Sequence, residues 1–96
     1  MVKHSLEVKL VDELGIPTAV VYEVLHDLCQ EQEKKNVGYH DGRFWVRMPC
    51  RDFPKVFPYL HSSTVFKAIR KLRDEGLVIV GHYDETNSVV NWYSTI

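Results

Sequence analysis

The chain has 96 residues and a formal net charge of −1, and 45% of it is hydrophobic, 11% aromatic and 26% charged. That balance supports one packed domain over residues 1–96, and it excludes a disordered tail, a collagen-like repeat and a disulfide-stapled miniprotein. Two cysteines, Cys29 and Cys50, are too few for a disulfide framework and fit a reducing, cytoplasmic setting, while apolar runs such as Ala19 to Tyr22 and Leu77 to Val80 fall far short of the roughly 20 residues a membrane span needs.

Ser5 is placed to cap a first helix, in which Leu6, Leu10, Val11 and Leu14 recur at helical spacing until Gly15. Glu7, Asp12 and Glu13 interrupt its apolar positions, which a secretory signal would not tolerate. Pro17 opens a second helix, with Val21, Val24, Leu25 and Leu28 as the buried stripe and Val20 and Cys29 beside it. The stripe gives way to Gln30-Glu31-Gln32-Glu33-Lys34-Lys35, and the helix stops near Asn36 to Gly38. Asp41-Gly42 is a turn signal ahead of a strand from Arg43 to Met48, whose apolar face is Phe44, Val46 and Met48. Prolines 49, 54 and 58 confine any helix that follows to a short piece near Asp52 to Phe57.

The strongest helix runs from Ser62 or Ser63 to Glu75, with Gly76 as its stop. At about 100° per residue, Val65, Ala68, Ile69 and Leu72 share the inner face. Ser63, Lys67, Arg70 and Asp74 fall on the outer face, with Phe66 at the rim of the core. The period then changes to two, and Leu77 to Tyr83, the loop Asp84-Glu85-Thr86-Asn87-Ser88, and Val89 to Ile96 read as a hairpin.

The near-neutral net charge conceals a strong division along the chain. Residues 1–42 carry four Lys or Arg against eight Asp or Glu, and residues 74–96 carry four acids and no Lys or Arg. Residues 43–73 carry eight cations (Arg43, Arg47, Arg51, Lys55, Lys67, Arg70, Lys71 and Arg73) against the single acid Asp52. A basic block inside a neutral chain is the footprint of a face that meets a polyanion. The element order, two helices, strand, short helix, turn, basic amphipathic helix and hairpin, is that of an α+β winged helix-turn-helix, with three helices and a three-stranded antiparallel sheet. In that arrangement the basic helix offers polar side chains to base edges while its apolar face anchors it.

Three segments sharpen this expectation: Leu14-Gly15-Ile16-Pro17-Thr18-Ala19-Val20-Val21; His40-Asp41-Gly42-Arg43-Phe44-Trp45-Val46; and the run from Phe57-Pro58-Tyr59-Leu60 through Ser63-Thr64-Val65, Leu72, Glu75-Gly76-Leu77, Gly81 and Tyr83 to Trp92-Tyr93. With their spacing they resemble the N-terminal winged-helix domain of phage and plasmid replication proteins of the replisome-organiser and DnaD-like kind, over Leu10 to Ile96. The resemblance implies a DNA-binding or self-associating domain acting in replication initiation or transcriptional control on a mobile element. In such proteins a further domain follows that this sequence does not include. The resembling proteins often carry a lysine-rich wing, whereas Asp84 and Glu85 make this one acidic.

The expected contacts to double-stranded DNA are Lys67, Arg70 and Lys71 on the basic helix, to base edges or phosphates, and Ser62 and Ser63 at its start, as caps or phosphate donors. Arg43, Arg47, Arg51 and Lys55 are candidates to extend the phosphate track. The acids of the hairpin loop oppose phosphate binding, so the loop either points away from DNA, or approaches it through Asn87 and Ser88, or belongs to a surface that binds protein. Trp45, Trp92 and Tyr93 could be taken for a stacking platform, but at strand positions among apolar neighbours they fit sheet packing. His26 with Cys29, or Cys50 with His61, could be imagined as metal ligands, yet the sequence has no Cys-x-x-Cys or His-x-x-x-His pair and Cys29 suits an apolar core. No nucleophile motif, phosphate-cradling glycine loop or carboxylate pair points to catalysis, and no metal, cofactor or small-molecule substrate is expected. The two functions left open are duplex DNA binding and a protein-interaction module, either a dimerisation frame or a grip on a replication, host or defence nucleoprotein.

Overall fold

Gly15 and Pro17 set the start of the longest element. A computed structural model describes residues 15–84 and 90–96. The helix expected from Ser5 to Leu14 lies outside the described residues, as do Glu85, Asn87 and Ser88 of the hairpin loop. With Pro17 in the first turn, helix α1 spans Ile16–Lys35. Val21 and Leu25 are fully buried, and Val24 and Leu28 pack half-buried on the same core, as the stripe predicts. Asn36 ends the helix in the left-handed conformation, and the Val37 N–H donates back to Gln32 O at 3.1 Å, which satisfies a last-turn carbonyl. Lys34 and Lys35 occupy the last turn, where the helix dipole favours cations.

The segment from Tyr39 to Met48 departs from the single strand expected. Strands β1 (Tyr39–His40) and β2 (Arg43–Phe44) form a small hairpin. Its two central residues, Asp41 and Gly42, both have positive φ, 52° and 82°, the tight turn whose twist matches that of paired strands. Strand β3 (Val46–Arg47) belongs instead to a second sheet. The break falls at Trp45, which is buried with its indole N–H donating to His40 O at 2.8 Å and its backbone N–H donating to Gly38 O at 2.9 Å. The bulkiest ring of the segment takes the interior with its polar atom satisfied. Phe44 and Val46, expected inside, are therefore only half-buried, while Met48 is buried as expected.

After a single 3-10 turn (Cys50–Asp52), the short helix α2 (Phe53–Val56) buries Phe53. Helix α3 spans Ser62–Asp74 and buries Val65, Ala68, Ile69 and Leu72, the four residues its spacing assigns to the core. Strands β4 (Val78–Gly81) and β5 (Trp92–Thr95) pair antiparallel, with Val80 opposite Tyr93. Strand β3 adds to the other side of β5 with Val46 opposite Tyr93, so the sheet order is β3-β5-β4. The described chain is thus α+β, with three α-helices and antiparallel sheets of two and three strands. Its core lies where α1, α2 and α3 meet the three-stranded sheet, with Val21, Leu25, Phe53, Phe57, Leu72 and Tyr93 among its members. No helix among the described residues is long and apolar enough to cross a membrane.

Leu72→Ala and Ile69→Ala are expected to cost about 2–5 kcal/mol each, and Arg70→Ala on the exposed face no more than about 0.5 kcal/mol; urea denaturation ranks them, and the reverse order would mean a rotated helix. Gly38 provides a second test. Its φ is +72°, and a Cβ there would lie 2.7 Å from Trp45 O and 2.8 Å from Gln32 Nε2. Gly38→Ala is therefore expected to lower stability by about 1–3 kcal/mol in the same titration.

Candidate nucleic-acid interface

Because α3 turns its apolar face inward, its charged face is left to solvent. Ser63, Lys67, Arg70 and Asp74 are all exposed, as the spacing predicts, and so are Lys71 and Arg73. Between α3 and the β4–β5 pair lies a concavity of about 410 Å³. Ser63, Lys67, Arg70 and Arg73 form its helical wall, with Asn91 on the sheet side. Phe66, Ile69, Val80 and Tyr93 supply apolar lining. Among the described residues, three cations and no acid line this groove, a concentration of one sign of charge that favours an anion.

The start of α3 is built differently from the expectation. The N-cap is His61, not a serine. Its Nδ1 accepts from the Ser63 N–H at 3.2 Å and lies 2.9 Å from Ser63 Oγ. An unprotonated ring nitrogen here does the work usually done by a hydroxyl or carboxylate oxygen. Ser62 is half-buried in the first turn, and Ser63 alone of the two reaches the groove. Just upstream, Leu60 N–H donates to Phe57 O at 3.1 Å and closes a turn with Pro58 as its second residue. Phe57 and Leu60 pack inward, so Tyr59 is directed out and is 96% exposed.

The remaining cations do not converge on one track. Arg51 and Lys55 are exposed on the 3-10 turn and on α2, the elements preceding α3, but do not line the groove. Arg43 lines a separate concavity of about 330 Å³ with His26, Glu33 and Thr95, between α1 and the sheets. Arg47 is held by Asp84 through two parallel hydrogen bonds, Nε to Oδ1 at 2.9 Å and Nη2 to Oδ2 at 3.0 Å. The same Oδ1 accepts the Trp92 indole N–H at 2.8 Å. Asp84 is therefore no acidic loop tip: its side chain is only 10% exposed, and its charge is matched at the base of the hairpin.

The aromatic residues of the strands serve packing. Trp45 and Tyr93 are buried. Trp92 stands edge-on to His40 (centroids 5.3 Å apart) and to Tyr83 (5.8 Å). Tyr83 stacks on His40 at 4.4 Å, and its hydroxyl donates to Asp41 Oδ2 at 2.6 Å, which raises the ionisation of the phenol above its ordinary range. Burial also raises that of Tyr93, against the opposing effect of its hydrogen bond with Asn91.

Of the residues weighed as metal ligands, His26 and His61 have other partners. His26 Nδ1 lies 3.1 Å from Thr95 Oγ1 and its Nε2 lies 3.2 Å from Gln30 Nε2. The Cys29 thiol is buried, which pushes its ionisation up, and Cys50 is exposed on the 3-10 turn. Among the described residues no three His, Cys, Asp or Glu side chains are grouped to hold a metal ion.

The groove also includes residues that sequence reasoning did not place in the site. Arg73 lies three residues beyond Arg70, a spacing that could have suggested it. Asn91 reaches the groove only through the pairing of β4 with β5, which no local pattern reveals. Comparison with protein-family models, curated proteins and solved structures finds no match for this chain.

The Arg47–Asp84–Trp92 contact makes a graded prediction. Asp84→Asn retains an oxygen for the indole N–H but loses the ion pair, and is expected to cost within about 1 kcal/mol. Asp84→Ala leaves the indole unpaired as well, raising the cost to about 1–3 kcal/mol. Equal effects of the two in urea denaturation would mean that the carboxylate acts through charge alone.

Proposed function

We propose that the chain is a non-catalytic winged-helix domain that binds duplex DNA, with α3 as its recognition helix. The observation that carries this is the exposed outer face of α3, where Lys67, Arg70 and Lys71 are turned to solvent by the burial of the opposite face. The sheet order β3-β5-β4, with the short helix and turn leading into α3, fits the winged-helix arrangement. The outer face of α3 supplies the base-edge contacts, Lys67 and Arg70, with Lys71 beside them. Ser63 and the cations of the preceding elements, Arg51 and Lys55, supply phosphate contacts, which position the domain without reading sequence. Arg43 and Arg47 drop out of this surface, Arg43 because it lines another concavity and Arg47 because Asp84 holds it. The cellular role that accompanies this chemistry is the one implied by the resemblance to phage and plasmid replication proteins: replication initiation or transcriptional control on a mobile element.

Binding to random and native-locus duplexes across a salt series tests the proposal. Lys67→Ala and Arg70→Ala are expected to cost about 1–3 kcal/mol each and to relax preference at one position. Arg51→Ala is expected to weaken all sequences alike and to flatten the salt slope by about one unit. Arg43→Ala is expected to leave binding unchanged. If the purified protein binds no duplex at low salt, and the Lys67 and Arg70 changes disrupt a dimer or a protein complex instead, the domain is an interaction module.

A further inference from the structure

The groove beside α3 has a lining that a double helix does not use. A duplex presents phosphates and base edges to a protein, while the faces of its bases are stacked out of reach. A row of cations suits phosphates, and hydrogen-bonding side chains suit base edges. An aromatic face suits neither, and on a duplex its use is confined to edge contact with a thymine methyl. Yet Phe66 lines the groove next to Lys67 and is 47% exposed. It is also held in place, because the Phe53 ring packs against it at 5.0 Å with an interplanar angle of 64°. Tyr59 lies outside the groove lining, on the proline-containing turn that leads into α3, where it stands 96% exposed and the turn is closed by a backbone hydrogen bond. Both rings are thus presented by well-anchored backbone.

Cations that track a backbone, together with aromatic faces on which bases stack, are the two components of single-strand recognition. The size of the groove agrees. A concavity of about 410 Å³ is on the scale of a ligand pocket, roughly 300–1,000 Å³, and accommodates nucleotides of one strand rather than a double helix. The sign of the charge agrees as well, since no acid among the described residues lines it.

We propose that this groove binds a single-stranded segment of nucleic acid, with phosphates on Lys67, Arg70 and Arg73 and unstacked bases on Phe66 and Tyr59. The inference rests on the reading that α3 faces nucleic acid, and it extends the ligand from the closed duplex to an opened strand. The duplex engages the outer face of the helix, and a separated strand enters the groove beside it.

Fluorescence anisotropy with two labelled probes tests this: an oligothymidine of about 12 nucleotides, within the site sizes of single-strand binders, and a mixed-sequence duplex of the same length. The wild-type protein is expected to bind both. Tyr59→Ala removes a ring that contributes nothing to the core, and Phe66→Leu keeps bulk against Phe53 while removing the stacking face. Each is expected to weaken oligothymidine binding by roughly 5- to 150-fold and to leave duplex affinity unchanged. The inference is overturned if the wild type binds the duplex but not oligothymidine, if neither variant alters oligothymidine binding, or if both variants weaken the two probes equally. Failure of the duplex reading is seen separately: a wild type that binds oligothymidine but no duplex removes that reading and keeps this one.

Discussion

The burial of Val65, Ala68, Ile69 and Leu72 fixes the rotation of α3, and the rest of the surface depends on that one constraint. A helix with four apolar residues on one stripe has a single low-energy way to sit against α1 and the sheet. Once it sits that way, Lys67, Arg70 and Arg73 have no freedom to turn inward, and their charges collect beside β4 and β5. The positive groove is therefore a by-product of hydrophobic packing. A helix turned by one residue position, about 100°, would bury Phe66, Arg70 and Arg73 and turn Val65, Ala68 and Leu72 away from the core.

The sheet side of the groove is held by a second, more polar device. Trp45, Tyr83, Trp92 and His40 form one aromatic cluster that joins the small β1–β2 hairpin to the ends of β4 and β5. Its phenol hydroxyl and two indole N–H groups donate to Asp41, Asp84 and the His40 carbonyl. At Gly81 a Cβ would meet the Tyr83 ring at 2.7 Å and the Trp45 ring at 3.2 Å, so the strand runs against the cluster as closely as backbone allows. Arg47 and Asp84 complete the anchorage and fix the point at which the chain leaves the sheet for the hairpin loop. Charge near the groove is thus divided into cations left outward on α3 and an ion pair spent on architecture.

How much of this was legible in the sequence varied with the range of the interaction. The face of α3 was legible to the residue, because one helix in one period determines it. The Asp41-Gly42 turn was equally plain, since two positive φ angles in succession demand such residues. The strand from Arg43 to Met48 was not, because its alternation suits Phe44 and Val46 inside as well as Trp45 inside. The choice belongs to the indole N–H and its acceptor on His40, a contact within the folded hairpin. The histidine cap of α3 was hidden for a related reason: serines beside it are the commoner cap, and only the ring geometry shows which group accepts. Asp84 was misjudged because its partner Arg47 lies 37 residues away. Long-range pairing, the assignment of Arg43 to another concavity and the place of Asn91 in the wall of the groove come from tertiary structure alone.

The two cysteines differ in a way that bears on the motions of the fold. Cys50 is open to solvent on the turn before α2, whereas the Cys29 thiol is enclosed between α1 and β5, with Tyr93 O at 3.8 Å. A thiol reagent meets Cys50 directly, whereas Cys29, 8% exposed in the wall of the concavity between α1 and the sheets, becomes more accessible as α1 lifts from β5. Within one molecule the first thiol is an exposed reference, and the second, less reactive because burial raises its ionisation, gains rate with each such opening, from local breathing to global unfolding. The pair is a built-in gauge of how often the helix that supports α3 comes away from the strand beside the groove.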